Sequence, residues 1–303
     1  MTTNTPVRTV IFGTDWWTDC DDTAALRMVC RYAKAGVWQL AGVILNAAAP
    51  YAAASVRAVL ADEGFGGLPL GIDLAADDYG GRPPYQYAVA AAAQTTAIRN
   101  EDCENGVTLY RRLLAAAEDG SAALLEVGYL PVLAALLTSP PDNISPLDGT
   151  ALVQKKVSHI WCMGGNWKND GMGRENNFCR NHRASSAAHT VLSACPVPMT
   201  FLGYEIGEDV FAHPPADSND LIRIAFDAHG SSRGRCAWDP LLIHLAAASD
   251  PAAAGYTVVT GSASVDAETG ENRFLPSPSG PHRYVKKCRE NAWYEEQIDT
   301  MLL

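Results

Sequence analysis

The sequence predicts an α/β fold, an open and mainly parallel sheet with helices on both faces and a mixed edge. Three observations predict it. Short β-rich runs alternate with longer stretches of helical spacing from residue 8 to about residue 206, the pattern of βαβ units. The first run, RTVIFGT (8–14), is almost wholly apolar, as a strand buried on both faces must be. After residue 207 the alternation gives way to helices and a turn-rich stretch, which places other strand pairings at one edge.

Each element follows from its residues. Asp22 to Gly36 carries Ala25, Leu26, Val29 and Ala33 at helical spacing, with Gly36 as the stop. WQLAGVILN (38–46) reads as a second strand, residues 51–62 as a helix and PLGIDL (69–74) as a third strand. Thr108 to Glu118 is a helix ended by Asp119-Gly120. AALLEVG (122–128) is then a strand and LPVLAALL (130–137) a helix. VSHIWCMGG (157–165) is a strand running into a polar, Asn- and Gly-rich loop. A helix near 184–194 precedes the strand PMTFLGYEI (198–206). Helices follow near 217–228 and 239–248, then a hairpin within Gly261 to Pro281 and a terminal helix. No linker divides the chain, so residues 1–303 are expected to form a single domain.

Composition excludes several function classes. A formal charge of −11 argues against a nucleic-acid backbone as partner, which would need a clustered basic surface. No run reaches the roughly 20 apolar residues needed to span a membrane. The start, MTTNTPVRTV, lacks the pattern of a signal peptide. The eight cysteines are scattered with no CxxC pair, which reads as reduced thiols in a cytoplasmic protein.

In open parallel sheets ligands bind beyond the carboxyl ends of the strands. The loops after Thr14, Leu45, Val127, Gly165 and Ile206 are therefore expected to meet in one crevice. The first of them, Gly13-Thr14-Asp15-Trp16-Trp17-Thr18-Asp19-Cys20-Asp21-Asp22, holds four carboxylates in eight residues. Such a group repels itself unless a positive charge sits among it, and hard cations take oxygen ligands. Helix capping accounts for one or two of these aspartates, but not for Asp15 as well. The spacing does not fit phosphotransferases that end their first strand in Asp-x-Asp, and no phosphate loop is evident.

The string TDWWTDCDDTAAL (14–26) resembles a longer variant of the first motif of the nucleoside hydrolases, with Gly13 where that family has its leading aspartate. Four further segments resemble the family in the same order. They are GVILNAAAP with Asn46, EVGYLPVLAALL (126–137), MGGNWKNDGMGRENNFCRNHRA (163–184) and CAWDPLLIHLA (236–246). The second departs from the family at Tyr129, Pro131 and Val132, and the last has Trp238 where many members have a histidine.

The resemblance implies a nucleoside-hydrolase-like fold and calcium-dependent hydrolysis of the N-glycosidic bond of ribonucleosides. It implies Ca²⁺ held by Asp15, Asp22, the Val127 carbonyl and Asp239, with Asp15 also the general base. Asp21, Asn46, Asn169, Glu175 and Asn177 are expected on the ribose, Asn169 at the ring or its 5′-hydroxyl; carboxylates and amides suit its hydroxyls. Asp19 is either a helix cap or a support for the others. Asn166 and Asn181 read as turn residues. The leaving base is left with three options: protonation by His182, His229, Tyr85, Tyr87 or Tyr204; stacking on Trp238, Trp16 or Trp17; or a site that has lost efficient turnover. Alternatives of function are a nucleoside- or ribose-binding homologue, or a hydrolase of another N-riboside such as nicotinamide riboside. The expected partners are a small-molecule nucleoside and further copies of the chain in a homodimer or homotetramer.

Overall fold

The computed structural model describes residues 8–81, 85–248 and 250–303. Strand β1 (Thr9–Thr14) leads to α1 (Asp21–Lys34), β2 (Gln39–Leu45) to α2 (Ala52–Asp62), and the short β3 (Leu70–Ile72) to α3 (Gln86–Ala92). β4 (Glu104–Asn105) precedes α4 (Gly106–Ala116), followed by β5 (Ala122–Glu126), α5 (Pro131–Leu137) and α6 (Gly149–Lys156). After β6 (Val157–Met163) come two single turns, α7 (Lys168–Gly171) and α8 (Asn176–Cys179), and then α9 (His182–Ala194). β7 (Met199–Leu202) runs into a further single turn, α10 (Tyr204–Gly207). The rest comprises β8 (Phe211–Ala212), α11 (Leu221–His229), β9 (Arg235–Cys236) and α12 (Trp238–Ala247). Last come β10 (Tyr256–Val265), β11 (Asn272–Pro276), β12 (His282–Lys287) and α13 (Asn291–Leu302).

Among the described residues, ten strands form one sheet in the order β11-β10-β12-β7-β6-β5-β1-β2-β3-β4. Pairing is parallel from β12 through β7 to β4, and antiparallel where β10 meets β11 and β12. The expected mixed edge is therefore a three-strand unit, in which the β10–β11 hairpin is carried to the sheet by β12. β1 lies between β2 and β5, which explains its apolar sequence. Val10 and Phe12 pack toward α1, α2 and α12, while Ile11 packs toward α4, α5 and α9 on the other face.

Helix ends follow local chemistry. α1 opens with Asp21 and Asp22 and closes with Arg31 and Lys34, charges that oppose its dipole at both ends. Asn105, Asp148, Asn181 and Asp220 accept backbone N–H groups at the starts of α4, α6, α9 and α11. Two expectations change. The strand expected over 198–206 stops at Leu202, because the Tyr204 amide donates to the Gly165 carbonyl (2.8 Å) and turns the chain across the end of β6. α6, which apolar spacing did not reveal, is short and starts on its Asp148 cap.

One buried cation ties the helices beside β1 together. Arg27, on α1, is 1% exposed and pairs with Glu63 (2.8 Å), Asp62 (3.2 Å) and Asp220 (2.6 Å). It thereby joins α1 to the end of α2 and to the cap of α11. Removing one member of a buried pair costs about 3–5 kcal/mol when the other is left uncompensated; here Glu63 keeps Lys34 (2.6 Å). Arg27→Met is expected to lower the unfolding free energy by about 3 kcal/mol, the lower end of that range, measured by chemical unfolding. A loss below about 1 kcal/mol would mean that Lys34 and water compensate the carboxylates when Arg27 is removed.

Candidate active site

The expected crevice exists at the carboxyl ends of the strands. A cavity of about 260 Å³ is lined by Asp15, Asp19, Asp21, Asp22, Val127, Glu175, Asn177 and Asp239 among others. β1 delivers Asp15, the N-terminus of α1 delivers Asp21 and Asp22, and the first turn of α12 delivers Asp239. Val127 follows β5, and Glu175 caps α8.

Carboxylate oxygens of Asp21, Asp22 and Asp239 all lie within 4.8 Å of one another. Asp21 accepts the Asp239 amide (3.1 Å). Asp22 accepts the Thr14 hydroxyl and the Trp16 amide (3.3 Å). One oxygen of Asp15 accepts the Trp17 amide (3.0 Å), held by a Trp16 backbone at positive φ (49°). That backbone is left-handed and strained for a tryptophan. It is held by burial of the indole, whose Nε1 donates to Ser55 (2.8 Å).

Electrostatics single out this cluster. Burial, reinforced by Asp19, Asp21 and Glu175, pushes Asp15 up to about 7. Burial and neighbouring aspartates push Asp21, Asp22 and Asp239 well above the usual carboxylate range. Among the described residues, Asp19 is the clustered aspartate with an ion-pair partner. Arg235 from β9 grips it through Nε (2.6 Å) and a second nitrogen. Four buried carboxylates with no such partner among the described residues are hard oxygen donors that fit a divalent ion such as Ca²⁺. The residues that would hold it are Asp21, Asp22 and Asp239, with Asp15 and the Val127 carbonyl in the same wall.

Asp21, Glu175 and Asn177 line the same cavity, while Asn46 is buried behind it and Asn169 lies elsewhere. Glu175 accepts Asn177 N (2.7 Å) and Gly165 N (3.1 Å), and burial pushes it up to about 7. Asn177 donates to the carbonyls of Val127 and Met163 (3.1 Å each), which leaves its amide oxygen facing the cavity residues. Asn46 is buried beside Asp15 and Gly128, close enough that a Cβ on Gly128 would crowd both. Neither amide atom of Asn46 has a hydrogen-bond partner among the described residues.

Asn169 lies apart from the acidic cavity. It lines a different cavity of about 710 Å³, with Trp167, Glu205, Phe274 and Tyr284. The Asn272 side chain explains this, because it bonds Asn166 N and Asn166 O (2.9 Å each) and pins the loop onto β11. Asn169 and Asp170 then turn back at positive φ (22° and 55°).

Among the residues considered for the leaving base, Tyr204 and Trp238 line the acidic cavity. Their rings stack (5.4 Å, 27°), and the Trp238 Nε1 donates to the Tyr204 carbonyl (2.8 Å). Trp16 is core, and Trp17 gives its Nε1 to Gly80 O (2.6 Å). Tyr85 is buried against Trp16, Tyr87 is exposed against Tyr51, and His182 is exposed beside Glu268. His229 bonds the Thr18 carbonyl (2.9 Å) and does not line the cavity.

Sequence reading missed Arg235, Arg180 and Glu126. Arg235 stands three residues before Trp238 and lies 5.5 Å over its ring. Glu126 explains Gly13: its carboxylate fills the space that a side chain at position 13 would need. It bonds the Tyr110 hydroxyl, and burial pushes it up to about 7.

Solved structures match this fold over nearly the whole chain. A plant nucleoside hydrolase aligns with a TM-score of 0.70 at 16% identity, covering 98% of both chains. An inosine-uridine preferring nucleoside hydrolase from Bacillus anthracis gives 0.62 at 17%, covering 97% of this chain and 100% of that one. The type III effector protein XopQ, complexed with adenosine diphosphate ribose, gives 0.66 at 15%, covering 98% and 93%. The chain thus has the nucleoside-hydrolase fold. No family model matches the sequence, and no curated protein matches it.

A carboxylate raised on folding favours the protonated native state. Its contribution is intact below the ordinary value of 3.8 and lost as pH rises toward about 7. A divalent ion would bind the ionised form, so its stabilisation would grow across the same window. Thermal unfolding with chelator or calcium is expected to show a larger calcium increment at about pH 8 than at about pH 5. An increment that is flat with pH would remove the cluster as the binding site.

Proposed function

We propose that the protein hydrolyses the N-glycosidic bond of ribonucleosides in a calcium-dependent reaction that gives ribose and free base. One observation carries the reading: the unpaired carboxylates of Asp15, Asp21, Asp22 and Asp239 share one small cavity with Glu175 and Asn177. The likeness to nucleoside hydrolases supports the chemistry.

Asp21, Asp22 and Asp239 would hold the Ca²⁺ beside Asp15 and the Val127 carbonyl, and the ion would supply positive charge to lower the pKa of a nearby water and to orient the ribose diol. Asp15 takes the proton of the attacking water on the oxygen not given to Trp17, as general base. Glu175 and the Asn177 amide oxygen hold ribose hydroxyls, and Asp21, beside the ion, reaches one as well. The water oxygen adds at C1′ as the bond to the base nitrogen breaks through an oxocarbenium-like state. Negative charge around the ring favours that state, because the cationic sugar is drawn to carboxylates. The base departs against Tyr204 and Trp238. Tyr204 is, among the described residues of that wall, the group able to pass a proton to it, and Arg235, paired with Asp19, lies over the Trp238 ring.

A second reading, a binder with weak turnover, is favoured by Trp238 standing where a histidine acid is expected. Reducing sugar released from inosine, adenosine, guanosine, uridine, cytidine and nicotinamide riboside separates the readings. Tight binding without release would favour the binder. Asp15→Asn is expected to keep the fold while cutting turnover about 10²- to 10⁴-fold. Near-normal turnover in that variant would take Asp15 out of the base role.

A further inference from the structure

The cavity wall beyond the carboxylates divides into two contacting groups. Tyr204, Arg235 and Trp238 form one. Tyr129, Asn176 and Arg180 form the other, where the Asn176 amide donates to the Tyr129 hydroxyl (3.3 Å) and Arg180 lies one turn further along the chain. A riboside has two substituents that lead away from its ring, the base and the 5′ group. On the proposed hydrolase reading the base occupies the Trp238 group, which leaves the 5′ group to Arg180. Asn169, the residue expected at the ring or its 5′-hydroxyl, is elsewhere.

The two arginines differ in one respect. Arg235 is neutralised by Asp19. Arg180 has no carboxylate partner among the described residues; its Nε donates to Tyr79 O (2.5 Å) and one terminal nitrogen to Gly80 O (3.1 Å). These carbonyls fix the guanidinium without cancelling its charge. The loop they belong to is already tied down by Trp17 to Gly80 O (2.6 Å), Asn181 to Asp78 O (3.1 Å) and Arg183 to Asp78 (2.9 Å). Pinning this loop therefore does not by itself require Arg180. A fixed, uncancelled guanidinium with free N–H groups on a cavity wall suits a planar or tetrahedral oxyanion.

We propose that Arg180 anchors a phosphate at the 5′ position, so that the preferred ligands are riboside 5′-phosphates. The test is calorimetric titration of ribose and ribose 5-phosphate into the protein in calcium-containing buffer, compared with Arg180→Ala and Arg180→Gln. Ribose 5-phosphate is expected to bind about 10- to 100-fold tighter than ribose, the range of a charge-assisted contact. Both variants are expected to bring that ratio toward one. Gln keeps a donor for the loop carbonyls, so it removes the charge while sparing the pin. Equal affinity for the two ligands in the native protein overturns the proposal. So does an unchanged ratio in the variants, which would make Arg180 a loop support only. Base release from inosine against inosine 5′-monophosphate then tests the hydrolase reading separately. Release from inosine with no preference for the phosphate sinks this inference and leaves that reading standing.

Discussion

Everything at the carboxyl ends of the strands depends on the repulsion among Asp15, Asp21, Asp22 and Asp239. Four buried carboxylates without a cation cannot all be ionised, since each desolvated charge raises its neighbours. The surroundings do not relax this tension. They fix it, through Thr14 and Trp16 on Asp22, Trp17 on Asp15 and the Asp239 amide on Asp21. A strained Trp16 backbone is held in place by an indole buried against Ser55 and Tyr85. Such effort spent holding like charges together is the mark of a site organised for a cation and a polar ligand.

That organisation explains why the two long tryptophan side chains in the motif are structural. The loop from Asp15 to Asp22 is longer than a simple turn needs, and Trp16 and Trp17 fill the space beneath it. Gln86 on α3 adds to this by donating to both of their carbonyls (2.7 and 2.6 Å). The helix that contains it carries no site residue, yet it shapes the loop that does.

Much of this was legible in the sequence, for physical reasons. β1 is apolar because neighbours cover both faces, and the aspartates are visible because they crowd the end of that strand. Glu175 and Asn177 could be read because they follow a strand end in a polar loop. Asn169 could not be placed, since its position depends on Asn272, some hundred residues away and on another strand. Gly13 looked like a simple loss until Glu126 was found occupying its side-chain space from the adjacent strand. Strand register, which brings Gly13 opposite Glu126, is not written in either segment alone. Arg235 and Arg180 were missed because a single arginine carries no periodic signal; their meaning lies in which partner each one has.

The contrast between these arginines bears on how the site divides its labour. Arg235 is paired with Asp19 and overlies Trp238, so its charge is partly spent and its place is rigid. On the proposed reading it would steady a departing base by hydrogen bonding without protonating it, because a guanidinium beside a carboxylate holds its proton more firmly. Proton delivery at that wall would then fall to a hydroxyl or to water, and Tyr204 lines it. Its backbone is held by Gly165 and Trp238, so the strand-to-helix break after Leu202 has a chemical consequence. Had β7 continued as the sequence suggested, Tyr204 would not have been carried across the end of β6. The break that defeats the strand pattern is what brings Tyr204 to the cavity wall.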